Sequence, residues 1–98
     1  MTIEIKKTAA ETVIEVAGRL DTTTAPVLDK TINEDIEGTK NLILDIKNLE
    51  YISSAGLRVL LGAQKKMLKI GSMKVTNVCE AVMEVLEMTG FADILVIE

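Results

Sequence analysis

The stretch NLILDIKNLEYISSAGLRVLLGAQKKMLKIG, residues 41–71, passes from one periodicity to another, and that change decides the fold class. Its first part, Asn41 to Ile46, sets Leu42, Ile43, Leu44 and Ile46 around a single Asp45. Such a nearly continuous apolar run suits a strand buried on both faces. Lys47 to Ile52 is more polar and reads as a loop. After Ser53 and Ser54, apolar residues recur as Val59, Leu60, Ala63, Met67 and Ile70, the stripe of an amphipathic helix, and Gly71 supplies its stop. A strand feeding directly into a helix is the unit from which α/β folds are built.

Working outward, the same alternation appears on both sides. Toward the N-terminus, Ile3 and Ile5 alternate with Thr2, Glu4 and Lys6, and Val13, Ile14 and Val16 form a β-branched run from Thr12 to Ala17. The short polar Thr8 to Glu11 between them predicts a hairpin. Gly18-Arg19-Leu20-Asp21 ends the second strand. From Thr23 the period changes, with Ala25, Leu28, Ile32 and Ile36 on one helical stripe. Thr22 or Thr23 is the expected cap, Pro26 falls in the first turn, and Gly38 supplies the stop. Toward the C-terminus, Ser72 to Asn77 carries Met73 and Val75 as a strand. Val78, Val82, Leu86 and Met88 or Thr89 then trace a third helix up to Gly90. The tail Phe91 to Ile97 reads as a last strand or an extended cover for the helices. The order is β-β-α-β-α-β-α with an optional final strand. It predicts a single α/β domain over 1–98, a mixed sheet with parallel central strands packed against helices.

Composition narrows the function. Ninety-eight residues, 48% of them hydrophobic, suit one core and one globular domain. Fifteen acids against eleven bases give a formal charge of -4, which argues against a phosphate-neutralising nucleic-acid face. The densest basic group, Lys65, Lys66 and Lys69, reads as the solvated side of a helix. No apolar run approaches bilayer length and no signal-peptide core is present, so the expected location is the cytoplasm. Cys79 stands alone, cannot form an internal disulfide, and reads as a small buried hydrophobe. The chain has no histidine, which removes Ser-His-Asp and Cys-His relays and the commonest metal ligand. Neither a cofactor nor a metal is expected, and the chain does not read as an enzyme.

Two strand-to-helix junctions remain for function: Gly18-Arg19-Leu20-Asp21 with Thr22, Thr23 and Thr24, and Tyr51-Ile52-Ser53-Ser54-Ala55-Gly56-Leu57. In open α/β sheets functional groups collect at such junctions, where helix N–H groups point outward unpaired. Helix capping alone accounts for a serine there, contributing about 0.5–2 kcal/mol relative to alanine. Capping does not account for Gly56, because glycine inside a helix costs about 1 kcal/mol against alanine. Close approach of another group does. A nucleotide-binding or nucleophilic role for Ser53 or Ser54 finds no histidine base, and Gly56 to Lys66 lacks the Gly-Lys-Ser/Thr ending of a phosphate-binding loop.

The segment Asn48 to Leu61, NLEYISSAGLRVLL, resembles the signature of the STAS family, the domain of bacterial anti-sigma factor antagonists. Gly18-Arg19-Leu20-Asp21 resembles the family's other recurrent element, and the resemblance spans essentially the whole chain. It implies partner switching. An unphosphorylated antagonist binds an anti-sigma factor that is an ATP-dependent serine kinase, which frees the sigma factor. Phosphorylation ends the binding, and a metal-dependent PP2C-type phosphatase restores it. In the family pattern Asp-Ser-Ser/Thr-Gly the acceptor lies two residues before the glycine, which is Ser54 here. The family's aspartate falls on Ser53, a competing acceptor, and its second hydroxyl residue falls on Ala55. Asp21, Thr22, Ser53, Gly56, Leu57 and Arg58 are the expected partner contacts, with Leu57 and Arg58 expected on the outward side of the helix start. Among the helical methionines, Met67, Met83 and Met88, core filling is expected before docking.

A phosphate brings about -1.5 to -2 charge units to a helix mouth that offers free N–H donors. The fold should tolerate it, and the natural readout is blockade of a docking surface. Asp21 would supply or oppose charge there if the two junctions adjoin. The other reading is a STAS scaffold or ligand-sensing module that is never phosphorylated, motivated by Ser53 in place of the aspartate.

Overall fold

The computed structural model describes residues 1–98. Strands β1 (Thr2–Lys7) and β2 (Glu11–Leu20) lead into helix α1 (Ala25–Asp35). Strand β3 (Asn41–Ile52), helix α2 (Ser54–Ile70), strand β4 (Ser72–Thr76) and helix α3 (Glu80–Thr89) follow, then a 3-10 turn, Phe91–Asp93. The sheet has four strands in the order β1-β2-β3-β4. β1 runs antiparallel to β2 through the expected hairpin, while β2, β3 and β4 are parallel.

Register decides which face the helices take. Ile14, Val16, Leu42, Leu44, Ile46, Met73 and Val75 point to one side and are buried. Their alternates Val13, Glu15, Ile43 and Asp45 are only half-buried, and Lys74 is exposed. The helices therefore cover one face, and the expectation that β3 is buried on both faces is corrected. Ile43 and Asp45 share the uncovered side with the Lys6–Glu15 ion pair, so the strand's apolar run overstates its burial. Leu28 and Ile32 of α1, Leu60, Ala63 and Met67 of α2, and Val82 and Leu86 of α3 close the core from above.

The segment Lys47 to Ile52 is strand, not loop. Partners shift from Glu15↔Asp45 to Ala17↔Asn48 and again from Gly18↔Leu49 to Arg19↔Tyr51, so β3 takes an extra residue at each bulge. Ile46, Leu49 and Ile52 are buried at intervals of three, because each bulge resets the two-residue alternation. Other ends also differ from expectation. Ile70 is 49% exposed and Met88 84% exposed, both lying in the last turn of their helix, whereas Met67 is buried and Met83 half-buried. The tail is neither a full strand nor a loose cover. It buries Leu95 and adds a single parallel bridge, Val75↔Ile97, to the outer edge of β4. No helix is long and apolar enough to cross a membrane.

Candidate functional site

Because β2 and β3 are parallel and adjacent, their C-terminal ends lie side by side, with Leu20 opposite Ile52. The Ser53 amide donates to the Leu20 carbonyl at 2.8 Å. The two junctions singled out in the sequence are therefore one continuous surface at the carboxyl end of the sheet, the position where open α/β folds present their sites.

At the mouth of α2, Ser53 is extended (φ -96, ψ 175) and caps the helix, its Oγ accepting from the Gly56 amide at 3.4 Å. The Leu57 amide donates to the Ser53 carbonyl at 2.9 Å. Ser54 is the first helical residue and is exposed, whereas Ser53 is half-buried. The cap thus occupies the first hydroxyl and leaves the second one free. Gly56 is buried because the start of α2 rests on the two strand ends: a Cβ there would lie 2.7 Å from Leu20 Cγ and 2.9 Å from Ile52 Cγ1. This is the close approach that the glycine implied.

Two expected contacts need correction. Leu57 does not face outward. It is 5% exposed and belongs to the core, since it precedes Leu60 by three residues and so shares the inner stripe of α2. Gly56, buried beneath the same turn, shapes the surface from below without forming part of it. Arg58 is exposed as expected.

On the neighbouring loop, Asp21 Oδ1 accepts from the Thr23 amide at 3.0 Å, the Thr23 hydroxyl at 2.8 Å and the Thr24 amide at 3.1 Å. The Thr23 hydroxyl, followed by the Thr24 amide, holds the Asp21 carboxyl below its usual range. Neither Thr22 nor Thr23 is the N-cap of α1. That position is Thr24, whose hydroxyl turns away to accept from the Asp21 amide and donate to the Arg19 carbonyl, both at 2.8 Å. The Asp21 side chain holds the Thr23 and Thr24 amides ahead of the helix, and its carbonyl takes the Ala25 amide. Thr22 is exposed at the tip. Beside it the Arg19 guanidinium lies over the Tyr51 ring, 4.2 Å from the centroid. Gly18 takes a positive φ of 95 next to the second bulge, a conformation that favours glycine. Sequence reasoning missed the Arg19–Tyr51 pair because the bulged segment read as a loop. An aromatic residue beside an arginine at a shared strand end was the available signal.

No group of three or more His, Cys, Asp or Glu could hold a metal ion. The largest depression, about 330 Å³, lies on the uncovered sheet face and is lined by Glu4, Glu15, Asp45 and Lys47 among others. Two of its carboxylates are already answered, since Glu15 pairs with Lys6 and Asp45 accepts from the Lys47 amide and from Asn77 Nδ2, while Glu4 takes no partner. Cys79 is half-buried and donates to the Leu49 carbonyl.

The site thus presents the exposed Ser54 hydroxyl on a platform built from two adjoining strand ends. The chain belongs to the STAS domain family, whose model matches residues 2–98. It is 30% identical over 94 residues to the anti-sigma-B factor antagonist of Bacillus subtilis (strain 168), covering 95% of this chain and 86% of that relative. The fold matches an anti-sigma factor antagonist from Mycobacterium paratuberculosis with a TM-score of 0.89 at 24% identity, over 98% of this chain and 83% of that one. It also matches the Bacillus cell fate determinant SpoIIAA in its phosphorylated form, with a TM-score of 0.77 at 18% identity, over 99% and 91%.

Proposed function

We propose that this chain is an anti-sigma factor antagonist of the bacterial cytoplasm. Unphosphorylated, it docks onto an anti-sigma factor serine kinase. Phosphorylation of Ser54 releases it, and a PP2C-type phosphatase returns it to the binding state. The observation that carries the reading is the division of labour at the mouth of α2: Ser53 is committed to the cap, while Ser54 is exposed. Relatives named as anti-sigma factor antagonists, and a fold neighbour described in a phosphorylated form, support it at the level of the family. The contact surface is Arg58 with Thr22 and the outer edges of Ser53 and Asp21, carried by the two loops that the Ser53–Leu20 bond joins.

Negative charge on Ser54 would meet the positive end of α2, so the fold keeps its shape while a covering surface loses its fit. Incubation with the cognate kinase and ATP, read by intact mass, should add one phosphate to the wild type and none to Ser54→Ala. In a pull-down the kinase should be retained by Ser54→Ala and lost by Ser54→Asp. A wild type that gains no mass and still binds assigns the chain to the scaffold reading. A gain that persists in Ser54→Ala assigns the acceptor to Ser53.

A further inference from the structure

We propose that Arg58 clamps the phosphoryl group on Ser54, so that modification both charges the docking surface and withdraws the guanidinium from it. The inference rests on the reading of Ser54 as acceptor. Ser54 and Arg58 are four residues apart in α2 and both exposed, which makes them neighbours on one helical face. A helical side chain leans toward the N-terminus of its helix, so the Arg58 guanidinium reaches back over the turn that carries Ser54.

Arg58 is placed against the electrostatics of its helix. Cations belong near a helix C-terminus, where Lys69 stands in α2, and the first turn carries no acid to offset a charge at the positive end. The ion pairs of the protein join Lys6 to Glu15, Lys30 to Glu34 and Lys74 to Glu98, and none takes Arg58. The other guanidinium at this end of the sheet, Arg19, is held over Tyr51. An exposed guanidinium with no acid partner, four residues after the Ser54 hydroxyl on the same face, is free to take an anion there. That anion is the one Ser54 is placed to carry.

In the transfer, a bond forms between Ser54 Oγ and the γ-phosphorus of ATP while the bond to the bridging oxygen breaks. ADP leaves, and the hydroxyl proton passes to a base on the kinase. The product is a dianion whose oxygens fit the planar fork of a guanidinium. Held there, Arg58 no longer faces a partner, and one modification removes two contacts.

The test installs phosphoserine at position 54 by genetic encoding, with no kinase involved, and follows the phosphate by ³¹P NMR as pH is varied. Its second ionisation, ordinarily near pH 6, should fall about 0.2–0.4 pH unit lower in the wild type than in Arg58→Gln. Arg58→Lys should recover part of the difference and Arg19→Gln should change nothing, and 1 M salt should shrink the gap. Coincident titrations of wild type and Arg58→Gln overturn the clamp, as does a shift that follows Arg19→Gln instead. The two readings fail separately: an absent clamp shows in these titrations, whereas a wrong acceptor shows only in the intact-mass experiment with the kinase.

Discussion

The Ser53 amide and the Leu20 carbonyl, 33 residues apart in the chain, meet at 2.8 Å, and this bond makes a single platform of two loops. It carries the parallel β2–β3 ladder one residue past the strand and into the cap of α2. Whatever moves Leu20 therefore moves the base on which Ser54 stands.

Gly56→Ala should destabilise the protein even though alanine is the better helix former. The propensity gain is about 1 kcal/mol. Against it, the new methyl would lie within 3 Å of Leu20 Cγ and Ile52 Cγ1, interior atoms of buried side chains that cannot swing aside. Overpacking of this kind costs about 1–3 kcal/mol. Urea denaturation should put the variant's midpoint below that of the wild type, and a midpoint at or above it would mean that the helix start is not seated on the strand ends.

Ser53 should tolerate aspartate better than alanine. Its cap bond to the Gly56 amide is long at 3.4 Å, so Ser53→Ala should lose about 0.5 kcal/mol, the low end for such caps. Ser53→Asp keeps an acceptor and adds negative charge at a first turn that has none, for a gain of about 0.3–1 kcal/mol. For a domain of this size the aspartate variant should melt a few degrees above the alanine variant by calorimetry. The reverse order would show that Ser53 is not the cap.

The pH dependence of stability should carry the signature of Asp21 on its acid side. Hydrogen bonds from Thr23 and Thr24 depress its folded pKa, so its contribution is present above the unfolded carboxyl value of about 3.9 and is lost as pH falls through the lower folded value. Asp21→Asn should flatten that acid limb. Lys6 works in the opposite sense. Its hydrogen bond and charge contact with Glu15 raise its pKa, so its contribution holds below about pH 10.4 and is lost above. Lys6→Gln should flatten the alkaline limb and leave the acid limb alone. Denaturant midpoints measured across pH would show both, and an acid limb unchanged in Asp21→Asn would remove the carboxylate from the loop's hydrogen-bond scheme.

The element order, the hairpin and the two serines at the mouth of α2 were all legible because each rests on a local signal. The β1 alternation, the helical stripe through Leu28 and Ile32, and a serine ahead of an apolar helix need no knowledge of distant residues. What was misread depended on pairing. Lys47 to Ile52 passed for a loop because two bulges place Ile46, Leu49 and Ile52 at intervals of three, and only the ladder with β2 reveals the strand. Leu57 was placed outward because proximity to Ser54 outweighed its three-residue spacing from Leu60, which the packing obeys. The cap of α1 was placed on Thr22 or Thr23, but the cap position is Thr24, and the Asp21 carboxylate folds the preceding turn by holding the Thr23 and Thr24 amides at once.

Leu57 and Arg58, adjacent in the chain, should separate stability from docking. Leu57→Ala empties part of the core beneath the helix start, and truncation of a buried leucine costs about 2–5 kcal/mol. Arg58→Ala touches an exposed side chain outside every ion pair of the protein, so its stability should stay within about 0.5 kcal/mol of the wild type. Kinase capture should divide the other way. Arg58→Ala should lose affinity by tenfold or more, the loss typical of a buried arginine at a docking centre, of about 1.4 kcal/mol or above. Folded Leu57→Ala at low temperature should keep most of its affinity, because that side chain never reaches the surface. Calorimetry of binding beside a thermal melt for each variant resolves the pair. An Arg58→Ala protein that binds as the wild type does would move the docking surface away from the mouth of α2, and with it the reason for placing a phosphate there.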